Sequence, residues 1–201
     1  MTIANILTVS RIALAPVFII LIMICDQVGA ARDAVIVVLW VVYVLIELSD
    51  LADGFLARLL KQVSDLGKLL DPFADSVSRL SCFLAFTIVG LMPLWIFIIV
   101  LYRDLWVSFI RINLAKRGRV QGARLSGKIK AWVYGIANVA GLAAFTAQRV
   151  LPSASHRDII YIFCLIGFYC VAVIALWSGI DYSTMLFNRE KPTKKRQVGI
   201  D

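Results

Sequence analysis

The chain has 201 residues, 61% of them hydrophobic, with a mean hydropathy of +0.86 and a formal net charge of +8. Soluble domains lie nearer half apolar, so an ordinary soluble fold is excluded, and a membrane domain over residues 1–188 with a basic tail over 189–201 is expected. No soluble module remains to bind nucleic acid, and the basic residues fall beside apolar runs, where anionic lipid headgroups are their natural partners.

A helix needs about 20 apolar residues to cross the hydrocarbon. In chain order, the stretches 3–25, 34–60, 66–91, 93–115, 129–150 and 159–187 meet this need and predict an all-α integral membrane bundle of six transmembrane helices. The first carries Arg11 and Pro16 and lacks a basic leader and a small-residue cleavage site, so it reads as a retained helix rather than a signal peptide. Lysines and arginines collect after the second, fourth and sixth stretches, whereas the opposite segments hold only Arg32, Arg149 and Arg157. That asymmetry predicts both termini on the cytoplasmic side of the cell membrane.

Cys25, Cys82, Cys164 and Cys170 lie in apolar runs without metal-type spacing and read as packing residues. The lone histidine, His156, falls in a predicted outward loop, away from any cytoplasmic chemistry. In the fifth stretch, Gly135, Ala137, Ala140, Gly141 and Ala144 are small enough for close helix approach. They serve either internal packing or a dimer.

The segment from Ser49 to Ser76 departs from this oily background. Asp50, Asp53, Gly54, Ala57 and Arg58 fall at offsets of zero, three, four, seven and eight, one stripe at the end of the second helix. Gly67, Asp71 and Asp75 form a similar stripe at the start of the third. Each charge held at mid-bilayer costs about 2.5 to 3.5 kcal/mol on insertion scales, and the carboxylates also repel one another. Compensation is required. One source is an ion-pair network with Arg58, Arg79 and Arg103; the other is a divalent cation, and carboxylates without His or Cys suit Mg²⁺ or Mn²⁺ rather than zinc. Gly54, Ala57 and Gly67 leave room for a ligand, and Arg58 offers a fixed cation to phosphate oxygens. Glu47 and Arg103 read as neutralisers of each other or of this network, and Arg79 as a structural partner of Asp75.

The spacing Asp50-x2-Asp53-Gly54-x2-Ala57-Arg58-x8-Gly67-x3-Asp71-x3-Asp75 resembles the signature of the CDP-alcohol phosphotransferase family at every fixed position. The resemblance implies a six-helix fold and a two-metal site for Mg²⁺ or Mn²⁺ held by Asp50, Asp53, Asp71 and Asp75. It further implies that Asp71 and Asp75 are catalytic, with Asp75 as general base, and that Asp50, Gly54, Ala57, Arg58 and Gly67 contact the CDP moiety. The implied reaction transfers a phosphatidyl group from CDP-diacylglycerol to an alcohol with release of CMP, and the implied assembly is a homodimer. Asp65 either touches the nucleotide or caps the third helix.

The segments "ANILTVSRIALAPVF", "YRDLWVSFIRINLAKRG" and "LSGKIKAW" look like the phosphatidylglycerophosphate synthase branch, whose acceptor is glycerol 3-phosphate. Arg111, Arg124 and Lys128, with Lys130 nearby, are the candidate cations for the acceptor phosphate. Ser76 departs from that branch, which commonly has lysine there, so inositol phosphate, serine and phosphatidylglycerol stay open as acceptors. Two rivals are an intramembrane prenyltransferase, which would release pyrophosphate, and a divalent-cation transporter. The confinement of the aspartates to one end, with Arg58 among them, weighs against the transporter.

Overall fold

The computed structural model describes the backbone over residues 3–59, 65–116 and 125–187, and side chains over residues 8–49, 73–113 and 125–184. Within these limits the chain is all helical: α1 (Ile3–Ile24), α2 (Arg32–Leu59), α3 (Asp65–Ile88), α4 (Leu94–Lys116), α5 (Leu125–Val150) and α6 (Ala154–Phe187), with a short 3-10 turn at Gly29–Ala31 before α2. Each expected span corresponds to one of these helices. The tail over 189–201 and Arg124 lie outside the described residues.

Among the residues whose side chains are described, three stretches, Gly29–Ser49, Leu125–Val150 and Ala154–Thr184, are long and apolar enough to cross a membrane, and Thr8–Ile24 is the described, apolar part of α1. The third and fourth helices are as long as the first, at 24 and 23 residues against 22. Their hydropathy is lowered by charges inside them, among them Asp75, Arg79, Arg103, Asp104 and Arg111.

Three helix ends depart most from the apolar pattern. Helix α3 stops at Ile88 because Gly90 adopts φ +75°, a left-handed conformation that glycine takes without steric cost. The Leu91 amide then bonds the Phe86 carbonyl at 2.9 Å, closing the helix end. Helix α5 starts at Leu125 rather than 129, with the Ser126 hydroxyl donating to Asp181 Oδ2 of α6 at 2.6 Å. Helix α6 begins at Ala154, so exposed His156 sits in its first turn instead of a loop.

Helix α1 packs on α2 and α3, α6 packs on α4 and α5, and α3 joins the two groups through α4 and α5. An aromatic cluster fills the junction. Phe86 lies 6.1 Å from Phe18 and 6.0 Å from Phe168, and Phe83 stands edge-on to Tyr134 at 5.3 Å. Ala137, Gly141 and Ala144 are buried against this core, so that part of the small-residue stripe serves internal packing. Cys25, Cys82 and Cys164 are buried as expected, whereas Cys170 is exposed.

The outer surface is apolar, with Val37, Val41, Leu48, Ile98, Leu105 and Ile180 among many exposed side chains, while Arg11, Arg103, Asp104, Lys130 and Asn138 are buried. An apolar exterior around polar interior groups is the arrangement a lipid solvent favours. On the side opposite the polar site, Arg149 of α5 donates to Asp26 Oδ1 at 2.8 Å and ties the turn after α1 to the end of α5. That hydrogen bond holds the Asp26 carboxyl below its ordinary range.

A Cβ at position 141 would stand 2.7 Å from the Phe86 ring, which is fully buried and cannot yield. Gly141→Ala is expected to destabilise the protein by about 1–3 kcal/mol through overpacking, read as a lower thermal midpoint in detergent. Gly135→Ala, where a Cβ meets nothing within 4 Å, should not lower that midpoint.

Candidate active site

Helices α3, α4 and α5 enclose a polar pocket of about 320 Å³ lined by Asp75, Arg79, Arg103, Asp104, Arg111 and Lys130, with Ser76, Ser108 and Gly127 between them. Arg103, Asp104 and Arg111 come from α4, at offsets of zero, one and eight, so Arg103 and Arg111 lie on one face. Asp75 and Arg79 are one turn apart on α3, and their side chains pair at 2.8 Å as the i,i+4 spacing predicts.

Asp104 organises the cations. Its carboxylate is 3% exposed, and the single atom Oδ1 accepts from Lys130 Nζ at 2.6 Å and from Arg103 Nη1 at 2.9 Å. Arg103 Nε donates to the Ser178 hydroxyl of α6 at 2.9 Å, which fixes the guanidinium at its other edge. Arg103 is thus neutralised by its sequence neighbour rather than by Glu47. Lys130 also lies 4.6 Å from the Tyr134 ring centroid.

Tyr182 of α6 backs the two arginines. Its buried ring carries both arginines, with Arg103 Cζ at 5.7 Å and Arg111 Cζ at 5.3 Å from the centroid, and its hydroxyl accepts from Arg111 Nη2 at 3.1 Å. Among the described residues, Arg111 is therefore held by neutral groups, a ring face and a phenol oxygen. An apolar groove of about 770 Å³ between α4 and α6 meets the polar pocket at Arg103.

Of the cations expected at an acceptor phosphate, Arg111 lines the pocket, Lys128 is exposed and does not, and Arg124 lies outside the described residues. Lys130, two residues beyond Lys128, points inward instead. Asp104, Tyr182 and the Ser126–Asp181 bond were not singled out from sequence. A carboxylate beside Arg103 in a largely apolar helix was the available signal for Asp104; the partners of Tyr182 and Ser126 are too distant in the chain to have been read.

For the aspartate motif, the backbone places Asp50, Asp53, Gly54, Ala57 and Arg58 in the last turns of α2, and Asp65, Gly67, Asp71 and Asp75 in the first turns of α3. Apart from Asp75, the side chains of this set lie outside the described residues. Among the described residues no group of three His, Cys, Asp or Glu side chains gathers as a metal site.

The chain matches the CDP-alcohol phosphatidyltransferase family over residues 1–180. It belongs to that family and is a phosphatidyltransferase. It is similar, at 28% identity over 179 residues, to a probable phosphatidylglycerophosphate synthase of Mycobacterium tuberculosis, with 89% of this chain and 78% of that protein covered. It is 33% identical over 139 residues to the CDP-diacylglycerol–glycerol-3-phosphate 3-phosphatidyltransferase of Bacillus subtilis, covering 66% and 72% of the two chains. A CMP-forming cardiolipin synthase of Streptomyces coelicolor is 39% identical over 106 residues, covering 52% of this chain and 47% of that one.

Because Asp104 is the carboxylate that pairs with both buried cations, removing its charge leaves them without an anionic partner among the described residues. Asp104→Asn is expected to destabilise the protein by about 3–5 kcal/mol, measured by thermal unfolding. Adding Lys130→Met should recover part of that loss, since one of the stranded charges is then gone. A double variant no more stable than Asp104→Asn alone would show that the Lys130 pair contributes nothing.

Proposed function

We propose that the enzyme transfers the phosphatidyl group of CDP-diacylglycerol to glycerol 3-phosphate, giving phosphatidylglycerophosphate and CMP. The observation that carries the acceptor is the charge of the pocket: its described lining has four cations, Arg79, Arg103, Arg111 and Lys130, against two carboxylates, Asp75 and Asp104. An excess of two positive charges matches a phosphate monoester, which carries about −1.5 to −2 at neutral pH. A neutral alcohol would leave that excess unmatched.

The donor set fits a divalent ion. Asp50 and Asp53, three residues apart on α2, and Asp71 and Asp75, four apart on α3, each share a helix face, and all offer hard carboxylate oxygens of the kind Mg²⁺ and Mn²⁺ take. When bound, two such ions would screen the diphosphate and make its phosphorus more electrophilic. By family likeness, Gly54, Ala57, Arg58 and Gly67 would contact the cytidine diphosphate.

In this reading Arg111, Arg103 and Lys130 bind the acceptor phosphate and orient its free hydroxyl. Asp75, held by Arg79, accepts the hydroxyl proton. A bond forms from the acceptor oxygen to the lipid-bearing phosphorus, the bond from that phosphorus to the CMP oxygen breaks, and CMP leaves with the electron pair. An apolar groove beside a cationic pocket is what an amphiphilic lipid substrate requires.

The same reading places all six helices across the cytoplasmic membrane with both termini and the pocket on the cytoplasmic face. It is supported by the concentration of basic residues at that end. A homodimer belongs to it by family likeness.

A second reading, with phosphatidylglycerol as acceptor, is favoured by the 39% identity to a CMP-forming cardiolipin synthase. A phosphodiester carries one negative charge, half of what the pocket offers, so glycerol 3-phosphate is the better match.

The test is CMP release from CDP-diacylglycerol by the purified protein with glycerol 3-phosphate, phosphatidylglycerol, inositol phosphate or serine. Turnover with glycerol 3-phosphate, dependent on Mg²⁺ or Mn²⁺ and abolished by chelator, is expected; preference for phosphatidylglycerol would transfer the case to the second reading. Asp75→Asn should abolish turnover while CDP-diacylglycerol still binds. Arg111→Ala and Lys130→Ala should raise the acceptor KM by about tenfold to a hundredfold, since hydrogen bonds to charged groups contribute about 1.5–3 kcal/mol. The KM for CDP-diacylglycerol should hardly change, and an equal rise in both would refute the assignment of these cations to the acceptor.

A further inference from the structure

Asp75 and Arg79 line a second, much smaller cavity, of about 10 Å³, closed by Arg11 of α1, Glu47 of α2 and Asn138 of α5. Asn138 is 1% exposed, and among the described residues neither its Nδ2 nor its Oδ1 has a hydrogen-bond partner. A buried carboxamide that lines a polar cavity with both ends unmatched calls for a ligand that can donate and accept at once.

The size and charge of the cavity select that ligand. Its volume is that of about one water molecule. Its charged lining is two guanidiniums, Arg11 and Arg79, and two carboxylates, Glu47 and Asp75, beside the Cys82 thiol, with no net charge to favour an ion. The Ser78 hydroxyl, also in the wall, donates to the Ala74 carbonyl at 2.9 Å.

We infer that this cavity is a binding site for one water molecule, hydrogen-bonded to the Asn138 carboxamide and to the Asp75–Arg79 pair. Asn138 is then a positioning residue, acting through that water on the carboxylate that faces the acceptor pocket. The functional consequence rests on the reading of Asp75 as proton acceptor; the occupancy of the cavity does not.

Two measurements separate these. A crystal structure from lipid mesophase, at a resolution that shows ordered solvent, is expected to have one water peak within hydrogen-bond reach of Asn138 Nδ2 or Oδ1 and of Asp75 or Arg79. A cavity without a peak, or a peak with the coordination of a cation, would overturn the site whether or not the enzyme turns over CDP-diacylglycerol. For function, Asn138→Leu fills the cavity with a side chain of similar size, and Asn138→Ala leaves room for a further water in place of the carboxamide.

The leucine variant can also perturb packing, so the informative result is its comparison with Asn138→Ala. Loss of the water should lower kcat by about tenfold or more in Asn138→Leu, as displaced catalytic groups do, with both KM values nearly unchanged. Asn138→Ala should fall between it and the unmodified enzyme. Equal kcat in all three, or an Asn138→Ala enzyme at least as impaired as Asn138→Leu, would overturn the positioning role.

Discussion

Charge in the interior of an apolar shell has to be compensated locally, because neither lipid nor distant solvent can do it. This chain meets the constraint with Asp104. One oxygen of a carboxylate that is 3% exposed holds Lys130 and Arg103 together, and Tyr182 and Ser178 hold the remaining edges of the arginines. The cations are thereby fixed in place without being fully neutralised. Among the described residues the lining keeps an excess of positive charge, and the partner we propose for it is the substrate.

A division of labour follows. The end of α2 and the start of α3 carry the acidic motif, for which we propose divalent cations and through them a diphosphate, whereas Arg79 of α3, Arg103 and Arg111 of α4 and Lys130 of α5 supply the cations of the pocket. Asp75 belongs to both, being the last residue of the motif and a lining residue of the cationic pocket. In the proposed reaction the carboxylate at that boundary takes the proton of the acceptor hydroxyl.

The family and the helices were legible in the sequence because both depend on short-range spacing. Runs of apolar residues locate all six helices, and the offsets of Asp71 and Asp75 place them on one face without reference to any other part of the chain. The basic wall was much less legible. Lys130 meets Asp104 across 26 positions and Arg111 meets Tyr182 across 71, and no local pattern encodes such pairings. Lys128 and Lys130 differ by about 200° around a helix, so only the packing of α5 against its neighbours decides which one turns inward. The start of α5 was missed for a related reason, since its first turn is polar and is secured by the Ser126 bond to α6 rather than by apolar periodicity.

The central claim is that the pocket recognises the doubly charged phosphate of its acceptor. It is tested most directly by calorimetric titration of glycerol 3-phosphate into the detergent-solubilised protein between pH 5 and 8. The second pKa of a phosphate monoester lies near ~6, so affinity is predicted to strengthen as pH rises through that value and to be absent for glycerol at every pH. Binding of glycerol as tight as that of glycerol 3-phosphate, or an affinity for glycerol 3-phosphate that weakens as the second proton is lost, would contradict the account.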